Sequence, residues 1–144
     1  MTSQNYANHV RVVPLYHQVL FGLIALTLIG SCVNLYLSVG DHQRLYSASL
    51  IVMLVICLTL ATLFARTFPL KAQDRAIRAE ENLRHFAMTG KLLDARLTMR
   101  QVVALRFAPD DEFVDLARRS AEEKLSPTAI KRAIKVWRAD DYRV

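Results

Sequence analysis

Glycine, proline and cysteine are all scarce in this chain of 144 residues, with four, four and two copies. Four scattered glycines cannot build the Gly-rich loop that cradles a nucleotide phosphate, which excludes P-loop and dinucleotide-binding chemistry. Two cysteines, Cys32 and Cys57, exclude a disulfide framework and a cysteine-rich zinc site. Measured from the turn between their apolar runs, they differ in depth by about five residues, about 7 Å of helical rise, so no disulfide is expected between them. His9, His17, His42 and His85 show no metal-ligand spacing. Pro14 separates His9 from His17, and His17 and His42 fall at opposite ends of the first apolar run, which rules out paired haem ligands. With no reactive constellation, the expectation is a non-enzyme without cofactor or metal.

The most informative absence is charge. The chain has 19 basic and 13 acidic residues, net +6, yet none falls in Val12 to Gly40 or in Leu45 to Ala65, and only Asp41 and Arg44 lie between. A bilayer core about 30 Å thick is crossed by roughly 20 apolar residues at about 1.5 Å per residue. Two spans are therefore expected, Val19 to Val39 and Ser47 to Ala65, with Tyr16, His17, Tyr36, Tyr46, Phe64 and Phe68 near their ends. The link Gly40-Asp41-His42-Gln43-Arg44 is too short for anything but a tight turn, so the spans form an antiparallel hairpin. Arg66, Lys71, Arg75 and Arg78 follow the second span and Arg11 precedes the first, while Arg44 in the turn is balanced by Asp41. The positive-inside rule then puts both termini in the cytoplasm. No ionisable residue lies mid-span, which argues against a transporter or channel, and Asn34, the only amide, sits near the outer interface. Gly22, Ala25, Thr27, Gly30 and Ser31 in one span, with Thr59, Ala61, Thr62 and Ala65 in the other, are small enough to seal the hairpin. Thr27/Ser31 and Ala61/Ala65 have small-xxx-small spacing. Docking against spans of a larger complex is the alternative use of these residues. Ile29-Gly30-Ser31-Cys32 loosely resembles a lipoprotein cleavage site, but the apolar run continues past Cys32 to Val39.

The sequence thus divides into an N-terminal segment (1–18), a transmembrane hairpin (19–65), a charged helical stalk (66–90) and a three-helix cytoplasmic domain (91–144), all α-helical. In the stalk, Leu70 to Met88 is rich in helix formers, Pro69 kinks or starts the helix, Gly90 stops it, Glu80 with Arg84 offers i,i+4 support, and the charges are expected to make a solvated face rather than a binding site. Thr98 and Gln101 form a capping box, with Leu97 and Val102 as a hydrophobic staple, for a helix from about Met99 to Phe107. Pro109-Asp110-Asp111-Glu112 opens the next, to about Lys124, with Phe113, Leu116, Ala117 and Ala121 inward. Ser126 as N-cap, Pro127 at N1 and the Leu125/Ile130 staple start a third, expected to end near Arg138. Its Ile130, Ala133, Ile134 and Trp137 follow i, i+3, i+4, i+7 spacing and face a core.

On that reading Lys131, Lys135 and Arg138, with Arg132 beside them, line the other face of the last helix. Such a face after a short turn at Lys124-Leu125-Ser126 fits either anionic lipid headgroups or the second element of a helix-turn-helix in a DNA groove. Net charge tells against DNA, since acids offset most of the domain's positive charge. Asp110, Asp111, Glu112 and Asp115 suit a helix dipole better than a divalent metal. Trp137, Arg138, Tyr142 and Arg143 are the candidate partner-binding residues, because Trp, Tyr and Arg dominate interface energetics.

The runs RHFAMTGKLLDARLTMRQVVALRF from Arg84, DDEFVDLARR from Asp110, and KLSPTAIKRAIKVWRADDYRV from Lys124 resemble an uncharacterised family of small bacterial membrane proteins, in which two spans precede a helical tail. The resemblance covers nearly the whole chain and is most specific over Leu92 to Arg106 and Ser126 to Arg143. It implies architecture and bacterial origin, and no catalytic residue. The expected function is that of a non-enzymatic membrane accessory or scaffold protein, embedded in membrane lipid and presenting its helical domain to a protein partner or larger membrane complex. A membrane-tethered nucleic-acid binder is the alternative.

Overall fold

In the computed structural model, residues 5, 6 and 13–140 are described, and among them every regular element is helical. A π-helical turn, Leu15–Leu20, leads into α1 (Phe21–Leu37), followed by α2 (His42–Thr89), α3 (Met99–Leu105), α4 (Asp110–Glu122) and α5 (Pro127–Ala133). The chain divides into two compact units, Val12–Phe68 and Met1–Arg11 with Pro69–Val144, and the boundary falls inside α2.

In the first unit, the π-helical turn with α1, over Leu15–Leu37, and α2 are each long and apolar enough to cross a membrane. The turn between them holds Gly40 at φ +103°, a conformation that strains any side chain. Asp41 caps α2 by accepting from the Arg44 amide at 3.2 Å and pairs with its guanidinium at 3.2 Å. The residues the helices bury recur every seven positions: Ile24, Ser31 and Ser38 on α1, and Ala48, Val55 and Thr62 on α2. Half-buried Leu28 and Leu35, and Leu45, Val52 and Thr59, fill the alternate positions. That alternation of three and four residues is the antiparallel heptad seam of a helical pair, with small residues bringing the backbones close. Of the small residues expected to seal the hairpin, Ser31, Thr59 and Thr62 do so. Gly22, Ala25, Thr27, Gly30, Ala61 and Ala65 instead face outward, and nothing lies within 4 Å of where a Cβ on Gly22 or Gly30 would stand. The reason is register: a seam through Ile24, Ser31 and Ser38 leaves Gly22, Ala25 and Gly30 about 100° or more round the helix and Thr27 about 60° off it. Ser31, Ser38, Thr59 and Thr62 each donate to a carbonyl of their own helix at 2.8 Å, so no hydroxyl is left unpaired in the apolar surround. The Tyr16 hydroxyl donates to the Thr62 carbonyl at 2.6 Å and fastens the start of the first helix to α2. Most large apolar side chains of this unit point outward, Leu26, Ile29 and Leu54 among them. Cys32 and Cys57 are free thiols and exposed.

The second unit is built round one buried apolar core. Leu97, Val102, Leu105, Phe107, Phe113, Leu116, Ile130 and Ile134 form one cluster, and Leu125 and Trp137 pack against it. The capping box at Thr98 and Gln101 is formed as expected, and Ser126 caps α5 through the Ala129 amide at 3.1 Å. Gly90 ends α2 at φ +72°.

Of the two roles open to Pro69, the chain takes the first: the second span and the stalk are one continuous helix that runs through it. Three expectations need correction. The stalk is not solvated on all sides: Ile77 and Glu81 are buried, and the Leu93 amide donates to Asn82 Oδ1 at 3.2 Å. Arg84 pairs with Glu81 and Asp110 rather than with Glu80. Finally, α5 ends at Ala133, not near Arg138. Glu112 takes the Lys135 and Val136 amides at 3.0 and 3.2 Å, and the Arg138 amide donates to the Phe107 carbonyl at 2.8 Å. Those amides are therefore drawn to α4 and α3 instead of continuing the helix, although Ile134 and Trp137 still reach the core.

Candidate functional site

The second unit carries a cleft of about 640 Å³ lined by Glu80, Glu81, Arg84, Pro109, Asp110, Trp137 and Arg138. Three segments meet there: the last third of α2, the start of α4 and the strap that follows α5. At its base Glu81 is 4% exposed, and such a carboxylate is tolerated only when paired. Arg84 Nη1 donates to Glu81 Oε2 at 3.0 Å, and Arg138 Nη1 lies 3.7 Å from Oε1. The other side of the Arg84 guanidinium holds Asp110 Oδ1 at 2.8 and 2.5 Å and the Ala108 carbonyl at 2.8 Å. Its plane stacks 4.2 Å from the centroid of Phe113, which also meets the His85 ring edge-on at 6.0 Å. Arg84 is thus a structural hub that ties α2 to the α3–α4 junction.

The outer wall is different in character. Trp137 packs on Phe107 with centroids 4.9 Å apart and the rings tilted by 33°, and the Arg106 guanidinium lies 4.6 Å from the same ring. Arg106 and Asp140 form an ion pair at 3.1 Å that holds the end of the strap. Trp137 is half-buried and Arg138 is exposed, so an indole edge and a guanidinium stand at the rim of the cleft. Both are candidate partner-binding residues from the sequence, and as neighbours in the chain they share the rim. Tyr142 and Arg143, the other two candidate partner-binding residues, lie outside the described residues.

The basic set is not a single row. Lys131 and Arg132 belong to α5, with Lys131 Nζ 5.7 Å from the Phe107 centroid and the Arg132 guanidinium 5.3 Å from that of Tyr6. Lys135 and Arg138 lie beyond the end of α5, so they do not share a helical face with Lys131. The acids of α4 also have separate tasks: Asp110 on Arg84, Glu112 on the strap amides, Asp115 on Arg118 at 2.7 Å. That division of labour scatters the carboxylates that a metal would need convergent. Away from the cleft, the hydrogen bonds from Arg96 hold the Asp94 carboxyl down at about 2, and Asp115 and then Glu122 hold Arg118 more firmly protonated than usual.

Sequence reasoning missed Glu80, Glu81 and Arg84 as site residues because their charges read as a solvated helix face. The signal was present in the pattern, since Ile77, Glu81 and Arg84 share one side of α2.

The fold and cleft define an all-helical chain of a long apolar helical pair and a compact helical unit with a charged, tryptophan-rimmed cleft. It belongs to the family of unknown function DUF6526, which matches residues 1–144. Comparison with curated proteins and with solved structures finds no match for the chain.

Proposed function

We propose that the protein is a non-enzymatic accessory or scaffold protein of a bacterial plasma membrane, anchored by the α1–α2 hairpin, with both termini cytoplasmic. On this reading the helical unit is presented to a protein partner through the cleft rimmed by Trp137 and Arg138. The observation that carries the membrane half is the outward face of the first unit: its seam is a narrow stripe of Ile24, Ser31, Ser38, Ala48, Val55 and Thr62 with half-buried Leu and Val between them, while Leu26, Ile29, Leu54, Phe64 and Phe68 face out. In water that surface would be a large apolar patch, and in lipid it is the expected arrangement. The partner half is supported by a rim of Trp and Arg over a base where Glu81, Arg84 and Asp110 are paired with one another, with no nucleophile beside a general base among the lining residues. The nucleic-acid alternative has less support, because α5 is seven residues long and its basic neighbours diverge.

The test is a photo-crosslinking amino acid placed at Arg138 and, separately, at exposed Arg118 on α4, in intact cells. The proposal predicts a discrete protein adduct from position 138 and none from 118. Equal labelling from both positions, or recovery of DNA in place of protein, would overturn it.

A further inference from the structure

The last third of α2 has two opposite faces. Ile77, Glu81, Arg84 and His85 turn toward the helical unit. At about 100° per residue, the far side of the helix carries Ala72, Ala76, Ala79, Leu83 and Phe86. All five are exposed, Leu83 at 68% and Phe86 at 51%. Their spacing of four, three, four and three residues is a heptad seam, with Ala72, Ala79 and Phe86 at d and Ala76 and Leu83 at a.

That register makes a second assignment without further choice. Arg75 falls at g and Glu80 at the following e, the two positions that meet across a parallel pair of helices. Neither side chain has an ion pair among the described residues, whereas Glu81, one residue on, is bound by two arginines. An antiparallel pair would set g against g and e against e and lose the match.

We propose that α2 pairs with α2 of a second copy of this chain over residues 72–86, as a parallel, two-fold symmetric coiled coil closed by Arg75–Glu80 bridges between copies. The alanines let the helices approach closely, and Leu83 and Phe86 supply the apolar burial. The inference rests on the membrane reading in one respect, since two copies anchored in one bilayer stand at the same height and set like residues opposite each other.

The test uses the full chain in native membranes with Cys32→Ser and Cys57→Ser, and single cysteines at Ala72, Ala79, Phe86 or, on the far side, Asp74. Oxidation is expected to give a disulfide-linked dimer from each of the three seam positions and none from Asp74. Adding Arg75→Glu to Ala79→Cys should lose the dimer, and adding Glu80→Arg to that variant should restore it. Equal dimer from Asp74, no dimer from any seam position, or dimer from Ala79 with none from Ala72 and Phe86, as an antiparallel pair would give, overturns the inference. Carbonate extraction of the same membranes reports separately on the anchor. Protein retained there but monomeric sinks the coiled coil alone, and protein released sinks the membrane reading.

Discussion

Arg84 illustrates how a residue on a nominally solvated helix face becomes structural. Its guanidinium answers a buried carboxylate, an exposed one, a buried carbonyl and an aromatic face together. Arg84→Met leaves Glu81 buried with only the 3.7 Å contact to Arg138, and should cost about 3 kcal/mol, read as a lowered unfolding midpoint of the full chain in detergent. Adding Glu81→Leu should recover part of that loss, because the uncompensated charge goes with it; no recovery would mean that the Asp110 and Ala108 contacts dominate. Asp94 gives a pH prediction. Its carboxyl is held at about 2 against an ordinary 3.8, chiefly by hydrogen bonds from Arg96. A depressed folded value means the proton prefers the unfolded chain. The pair's contribution is therefore complete above about pH 4 and is lost as pH falls through about 2. Arg96→Gln should move the Asp94 midpoint in a carboxyl NMR titration back toward 3.8, and an unmoved midpoint would refute the assignment.

At the scale of elements, helix starts were legible in the sequence and one helix end was not. Capping is local chemistry, so Thr98 with Gln101, Ser126 with Pro127, and Gly90 could each be read from a few neighbouring residues. The end of α5 depends on Glu112, 23 residues from Lys135, and no local pattern announces that contact. The apolar spacing of Ile130, Ile134 and Trp137 fits a longer helix equally well, so burial was foreseen and conformation was not. Gln101 also does more than its capping motif implies. Its Nε2 donates to the Leu125 carbonyl at 2.9 Å and the Ser120 carbonyl at 3.3 Å, so one side chain starts α3 and fixes the α4–α5 turn. Gln101→Glu preserves the capping box but removes those donors, and should cost about 2 kcal/mol in chemical denaturation, where Gln101→Glu with wild-type stability would contradict the role. In the same turn Lys124 sits at φ +51°, where a helix end ordinarily has glycine. Lys124→Gly should raise stability by a few tenths to about 1 kcal/mol, and a loss would show that the lysine side chain makes a compensating contact.

For the whole molecule, the division into an apolar pair and a charged helical unit was visible in where charge is absent. The seam within the pair was not, because small residues were abundant on several faces and only the heptad register selects Ser31, Ser38 and Ala48 over Gly22, Gly30 and Ala61. The cleft was half legible: Trp137 and Arg138 stood out as interface residues, while its acidic base came from a segment assigned to a stalk. On the function proposed above, these parts are a two-span anchor and the helical domain it tethers. The most direct measurement is labelling with a membrane-impermeant thiol reagent in a Cys32→Ser, Cys57→Ser background, comparing His42→Cys at the start of α2 with Lys124→Cys in the helical unit. The account predicts that His42→Cys labels in intact cells and Lys124→Cys only after permeabilisation. Labelling of both from the same side, or recovery of the protein in the soluble fraction, would contradict it.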